Sequence, residues 1–330
     1  MRDGMKRRFP LRAEVELTYR CNFNCIHCYN NYSQKHLPVA LELTTAKINN
    51  IIDQLVELGN FVICFTGGEP LSRKDILDIL WYARTKGLNI YLFTNGSLIT
   101  KKIAWEFKNL GLRVDVSFHG GQRDTFEKIT RVKDAYKMVL NGVSLLKKAG
   151  VAFALKSCAM SENINDLEQI SSMARKLKVP FYLDTCVGFK TDGSDAPLKY
   201  RIPLKEGLAI RKKCFPEQYD ASWGNIKPRK EFRFMGNHRY LRHCSAGYDF
   251  ISINALGEMN MCVGLPIPRY SLLKGTIKDG WELIKGIVDK YSLVNKRECR
   301  NCNLKKFCFM CPSRVYLETG KLYTCSPRTY

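Results

Sequence analysis

Cys21, Cys25 and Cys28 stand at i, i+4 and i+7 in the stretch CNFNCIHCYN. On a helix, that spacing would line three small side chains along one face. Asn22, Asn24 and Asn30 oppose helix initiation, and the stretch reads as a loop. A structural zinc site takes four protein ligands, and His27 is at hand as a fourth. His27 is adjacent to Cys28, however, and two neighbouring side chains are hard to aim at one ion. Three thiolates suit an iron–sulfur cube, with one iron left free of protein. An open metal position takes a small-molecule ligand, as catalytic metal sites do.

Seven more cysteines gather near the C-terminus: Cys244, Cys262, Cys299, Cys302, Cys308, Cys311 and Cys325. Paired CxxC knuckles are common zinc sites, but seven thiols exceed one four-ligand zinc site and fall one short of two. Cys64, Cys158 and Cys186 lie in expected strands and read as buried small hydrophobes.

The elements that must position these thiols show in the hydrophobic rhythm. Apolar runs at AEVELT, FVICFT, NIYLFT, RVDVSF, VAFALKS and PFYLDT have the length of strands. Between them, LTTAKINNIIDQLVELG places Ile48, Ile51, Ile52, Leu55 and Leu58 on one helical face, capped at Thr44 or Thr45 and stopped at Gly59. Further helices are expected from Ser72 to Gly87, from Lys101 to Leu110, from Ala135 to Ala149, and in NINDLEQISSMARKL. Repeated strand–helix units predict an α/β fold with a parallel sheet, open or curled into an incomplete barrel.

The rhythm breaks near GFKTDGSDAPLKYRIP. This predicts a core over 1–195, a basic linker over 196–242 and a small cysteine-rich α+β domain over 243–330. In the last, YDFISINALGEMNMC reads as two strands turning at Ala255 to Gly257, followed by a helix around Trp281, Ile284 and Val288.

Ligands of parallel strand–helix folds bind beyond the C-terminal ends of the strands. The cysteine loop, Thr66 to Pro70, Thr94 to Gly96, Ser117 to Gly121 and Lys156 to Cys158 all fall there. His119 on that rim is a candidate proton donor.

Cys21-x3-Cys25-x2-Cys28 after a first strand, with Gly67-Gly68-Glu69-Pro70 after a second, resembles the radical S-adenosylmethionine (SAM) superfamily. The resemblance implies a partial (β/α)6 barrel, with the three cysteines holding a 4Fe–4S cluster whose open iron SAM chelates. Reductive cleavage of SAM then yields a 5′-deoxyadenosyl radical that takes hydrogen from the substrate. It also implies that His27 lies near the adenine and that Gly67, Gly68, Glu69 and Pro70 bind the methionine amino group. Thr94, Asn95 and Ser117 would face the ribose, and Arg131 or Lys156 the SAM carboxylate. General turn chemistry offers Thr94 and Asn95 another role, in the turn at Gly96.

The C-terminal cysteines, with Gly257 between Cys244 and Cys262, resemble the SPASM extension of peptide-modifying radical SAM enzymes. That resemblance implies two auxiliary iron–sulfur clusters, one on Cys244, Cys262 and Cys311, the other on Cys299, Cys302, Cys308 and Cys325. Here CFMC has two residues between its cysteines where the family pattern has three, and Cys214 is the spare thiol for the first cluster. Val263 stands where sulfatase-maturing relatives carry a catalytic Asp, which excludes that activity.

The chain has 53 Lys and Arg against 31 Asp and Glu, a formal charge of +22. From Arg201 to Arg242 the count is eleven to four, with aromatic residues interspersed, a pattern that suits an acidic peptide or a nucleic acid. The basic start leads into no apolar stretch, and no run is long enough to cross a bilayer, so a cytoplasmic, reducing location is expected. The expected function is oxidation or crosslinking of a ribosomally made peptide or protein, with an external electron donor. No peptide-recognition domain fits before Cys21, so a separate partner is expected to deliver the substrate. The alternatives are radical SAM modification of tRNA or another nucleotide, and a zinc-stabilised nucleic-acid-binding module.

Overall fold

The computed structural model describes residues 8–30, 38–185, 187–216, 244–265, 267–292 and 311–322. Its strands follow from alternation. In β1 (Arg12–Thr18), Ala13, Val15 and Leu17 are buried at 1% exposure, and Glu14 and Glu16 take the opposite face. The same two-sidedness recurs in β2 (Val62–Gly67), β3 (Asn89–Thr94), β4 (Arg113–Ser117) and β5 (Ala152–Cys158), followed by β6 (Phe181–Asp184). Ile63, Phe65, Ile90, Leu92, Val114, Val116 and Leu155 join the core, whereas Cys64, Asp115 and Lys156 alternate with them.

The six strands pair in parallel in the order β6-β5-β4-β3-β2-β1. Beside β1 the sheet continues through β7 (Phe250–Ile253), parallel to it, then antiparallel β8 (Glu258–Asn260) and β9 (Tyr270–Ser271). Asn254 makes the β7–β8 turn, its side-chain oxygen accepting from the amides of Leu256 and Glu258. The C-terminal hairpin and the six-stranded core therefore share one mixed parallel and antiparallel sheet.

Helices α1 (Thr45–Glu57), α2 (Ile76–Thr85) and α3 (Lys101–Leu110) join the first strands. Thr44 and Thr100 cap α1 and α3 by accepting from Lys47 and Ile103 amides. Next come α4 (Arg123–Thr130), α5 (Ala135–Ala149), α6 (Leu167–Leu177), α7 (Leu204–Cys214), α8 (Ile277–Ser292) and α9 (Pro312–Thr319). Sequence periodicity did not reveal α4, which is only eight residues long.

The helix expected from Ser72 begins at Ile76 instead. Arg73 causes the delay. Its backbone is extended, and its buried guanidinium binds Asp75 and the carbonyl oxygens of Leu17 and Leu43. In the basic segment, Arg211 donates to the Leu183 carbonyl and Arg201 pairs with Glu318, so neither is a free docking charge. Lys212 and Lys213 on α7 are exposed; the rest of the segment, 217–243, lies outside the described residues.

Arg73→Met keeps the length of the side chain but strands two carbonyls and the Asp75 carboxylate. It should cost about 3 kcal/mol of stability, measured by denaturant unfolding, whereas exposed Lys74→Met should change it by less than about 0.5 kcal/mol.

Candidate active site

The cysteine loop leaves the end of β1 and is moored on three sides. Behind it lies the Gly67–Glu69 segment, whose amides at Gly68 and Glu69 donate to the carbonyls of Thr18 and Arg20, both at 2.7 Å. The approach leaves no room for a side chain. A Cβ at Gly67 would sit 2.3 Å from the Thr18 oxygen, and one at Gly68 2.2 Å from the Arg20 oxygen. Glu42 grips the same corner, accepting from Thr18 Oγ1 and the Tyr19 amide.

Glu69 is fully buried and accepts from the Leu71 amide, Thr94 Oγ1 and the Asn95 amide. Burial raises its pKa, and those hydrogen bonds oppose the rise. Asn95 extends the link, since its Nδ2 donates to Asn22 Oδ1 at 2.8 Å and lies 3.9 Å from Cys21 Sγ. On the far side, the amides of Asn24 and Ile26 donate to the carbonyls of Thr130 and Ile129 at the end of α4.

Burial raises the pKa of Cys21 to about 12 and that of Cys25 well above the thiol norm. Mutual repulsion with Cys28 adds to both, and Arg131 is a cation that lowers Cys25. Three coupled, half-buried thiols are poor nucleophiles alone. A soft metal centre supplies the charge that makes thiolates of all three, so the donor set fits an iron–sulfur cluster.

The other expected contacts spread along the rim. Thr94 is buried, and its hydroxyl donates to Glu69 and accepts from the Gly96 amide. Ser117 ends β4 and pairs in register with Lys156. Lys156 lies over the Phe93 ring at 3.8 Å, and its charge acts on Glu14, Asp115 and His119. Arg131 caps α4 in the left-handed region and is exposed. The His27 and His119 rings meet edge to face with centroids 4.3 Å apart. Burial lowers the pKa of His27 to about 4 and holds that of His119 well below the usual imidazole value, with the charges of His27 and Lys156 adding to the fall. His119 Nδ1 accepts from the Cys158 amide, which leaves its proton on Nε2. His27 Nδ1 is buried with no hydrogen-bond partner.

At the C-terminal site, the thiols of Cys244 and Cys262 are raised by burial and further by Cys311. The dock is the start of α9, where Ser313 Oγ donates to the Gly264 carbonyl and Cys311 is the N-cap residue. Cys311, despite its shortened spacing, is near enough for its charge to act on both thiols. Cys214 is not. It is buried beneath α6, where its carbonyl accepts from Ser171 and Arg175. Cys186, Cys299, Cys302, Cys308 and Cys325 lie outside the described residues.

Composition and motif reading missed the acids on the inner face of the sheet. Glu16 is 3% exposed, accepts from Tyr29 at 2.9 Å, and has its pKa raised to about 8 by burial, with Glu14 adding to the rise. The signal was available as charged residues at alternate positions inside strands: Glu14, Glu16, Asp115 and Lys156. Between β1, β7 and β8, Glu16 also lines a cleft with Val263, next to Cys262.

Residues 15–174 match the radical SAM superfamily. Those residues form a radical SAM domain, and the chain is an enzyme that carries it. The zinc-stabilised binding module is thereby excluded, and SAM with one 4Fe–4S cluster are the cofactors implied. This radical SAM enzyme is 27% identical to the AdoMet-dependent heme synthase of Methanosarcina barkeri, over 94% of its own length and 93% of the relative's. It is 28% identical to the PqqA peptide cyclase of Bradyrhizobium diazoefficiens over 50% of this chain and 43% of that one. The structure of Streptococcus suis SuiB bound to precursor peptide SuiA superposes with a TM-score of 0.72 at 15% identity, covering 97% of this chain and 76% of that chain. At that identity the likeness is one of fold. Among the described residues, no helix is long and apolar enough to cross a membrane.

Glu16 sets a pH dependence. Its folded pKa of about 8 lies above the ordinary 4.5, so the folded state holds the proton more tightly. Its stabilising contribution is full below about pH 4.5 and is lost as pH rises through 8. Glu16→Gln should therefore melt close to wild type at pH 4 and progressively higher than wild type as pH rises to 9, as read by calorimetry across that range.

Proposed function

We propose that this radical SAM enzyme oxidises or crosslinks a peptide or protein by removing a hydrogen atom from carbon. The observation that carries the reading is that Cys311, at the start of α9, is near enough to Cys244 and Cys262 to raise both thiols, next to the cleft that Glu16 lines. That arrangement fits the auxiliary-cluster tail of the peptide-modifying branch. The likeness to a peptide cyclase and to a peptide-bound fold supports it.

Cys21, Cys25 and Cys28 would hold the SAM-binding cluster, which together with SAM supplies a 5′-deoxyadenosyl radical. The chain's own residues position and shield. Gly67 to Pro70 leaves the Thr18–Arg20 backbone close behind the loop, at the place the family uses for the methionine amino group. His27, neutral and with an unpartnered Nδ1, offers a buried polar edge toward an adenine. Asn95 and Ser117 face the ribose from the rim, with Thr94 as the buttress beneath. Arg131 and Lys156 are the cations on either side for a carboxylate. Cys244, Cys262 and Cys311 would hold one auxiliary cluster and Cys299, Cys302, Cys308 and Cys325 a second, supplying electron acceptance or peptide positioning when bound. An external donor supplies the reducing electron, and a separate partner presents the peptide, guided by exposed charges such as Lys212 and Lys213.

A second reading, tetrapyrrole chemistry, is favoured by the full-length similarity to a heme synthase. The test uses anaerobically reconstituted enzyme with SAM, reductant and a candidate precursor peptide deuterated at carbon. Deuterium should appear in 5′-deoxyadenosine, and Cys25→Ala should abolish SAM cleavage altogether. Transfer from a deuterated tetrapyrrole, with none from any peptide, would move the assignment to the second reading.

A further inference from the structure

The cleft between β1, the β7–β8 hairpin and the residues around Asp192 holds about 70 Å³, room for one side-chain head group and a few waters. Glu16, Asp192 and Glu258 line it, with Ser252, Asn260 and a single cation, the exposed Arg269. Among the described residues, none of the three carboxylates forms a salt bridge. Their partners are neutral. Glu16 accepts from Tyr29, Asp192 from the Ser194 amide and Glu258 from Asn254. Lys156 offsets Glu14 and Asp115, but no cation acts on Glu16.

A second, independent feature points the same way. Asn260 is 8% exposed, and its Oδ1 is buried with no hydrogen-bond partner. Buried acceptors are normally satisfied, and an orphaned one is costly unless a donor arrives. The cleft therefore gathers more acceptors than donors, with the negative charge of Asp192 and Glu258 at its mouth and a Glu16 proton that an entering cation would displace. An ammonium or guanidinium group supplies what is missing, three or more N–H donors and a positive charge.

The geometry points to a specificity pocket for a cationic side chain of the substrate, Lys or Arg, held by Glu16 and Asn260 at depth and by Glu258 and Asp192 toward the mouth. The assignment rests on the peptide reading and deepens it by naming the residue type that anchors the peptide. It also locates the anchor: Val263 to Leu265 line the same cleft, directly after Cys262. The overall charge of +22 does not contradict this. Net charge steers at long range, whereas acceptance is decided by groups in contact.

The test measures binding alone, on the full-length reconstituted enzyme, so its outcome is separate from that of deuterium transfer. N-acetyl-lysine amide and N-acetyl-norleucine amide are titrated by ligand-observed NMR. The lysine amide should bind at least tenfold tighter, and N-acetyl-glutamate amide should not bind. Glu16→Gln should erase most of that preference. Asp192→Asn, at an exposed position where folding is not at stake, should reduce it at least twofold. Equal affinity for the lysine and norleucine amides on wild type would overturn the proposal. A preference undiminished in the Glu16→Gln, Asp192→Asn double variant would do the same.

Discussion

The site depends on how closely the Gly67–Glu69 backbone approaches the end of β1. Two amide hydrogen bonds of 2.7 Å tie the segment to Thr18 and Arg20, and a Cβ at either glycine would overlap a carbonyl oxygen. Glu69 then carries the constraint across the sheet, because its one carboxylate accepts from the segment's own turn and from the β3 turn at Thr94 and Asn95. Asn95 completes the circuit at Asn22. The cysteine loop, irregular by itself, is thus fixed from strands one, two and three together.

This arrangement explains what could be read from residues alone. The six strands were legible because apolar residues alternate or run together between glycine-stopped helices, and each rim segment fell at a strand's C-terminal end as expected. The thiol loop was legible because its asparagines forbid a helix. Less visible was what Arg73 does: a buried cation answering carbonyls from residues 17 and 43 delays α2, and no local pattern encodes a partner so distant. Cys214 misled as a spare ligand because its burial under α6 is a tertiary fact. The role of Thr94 was half visible, since its hydroxyl closes the turn that Gly96 announces, but the link to Glu69 spans 25 residues.

The inner face of the sheet shows how local and global charge part company. A chain of +22 carries Glu14, Glu16 and Asp115 on its inner strand faces, with Lys156 beside them. Burial holds all three carboxyl groups above the usual carboxylate range. A face of this kind is expensive to build and gains nothing for folding. Of the three, Glu16 stands beside the β7–β8 hairpin and lines the cleft there.

The central claim is that Cys21, Cys25 and Cys28 hold an iron–sulfur cluster at the head of this scaffold. Iron and acid-labile sulfide, determined on anaerobically reconstituted wild type and on the Cys21, Cys25, Cys28→Ala triple variant, test it most directly. The account predicts about 12 iron atoms per wild-type chain, if all clusters are of the 4Fe–4S type, and a loss of about 4 in the triple variant. Stoichiometric zinc without iron in the wild type, or iron content unchanged by the triple substitution, would contradict it.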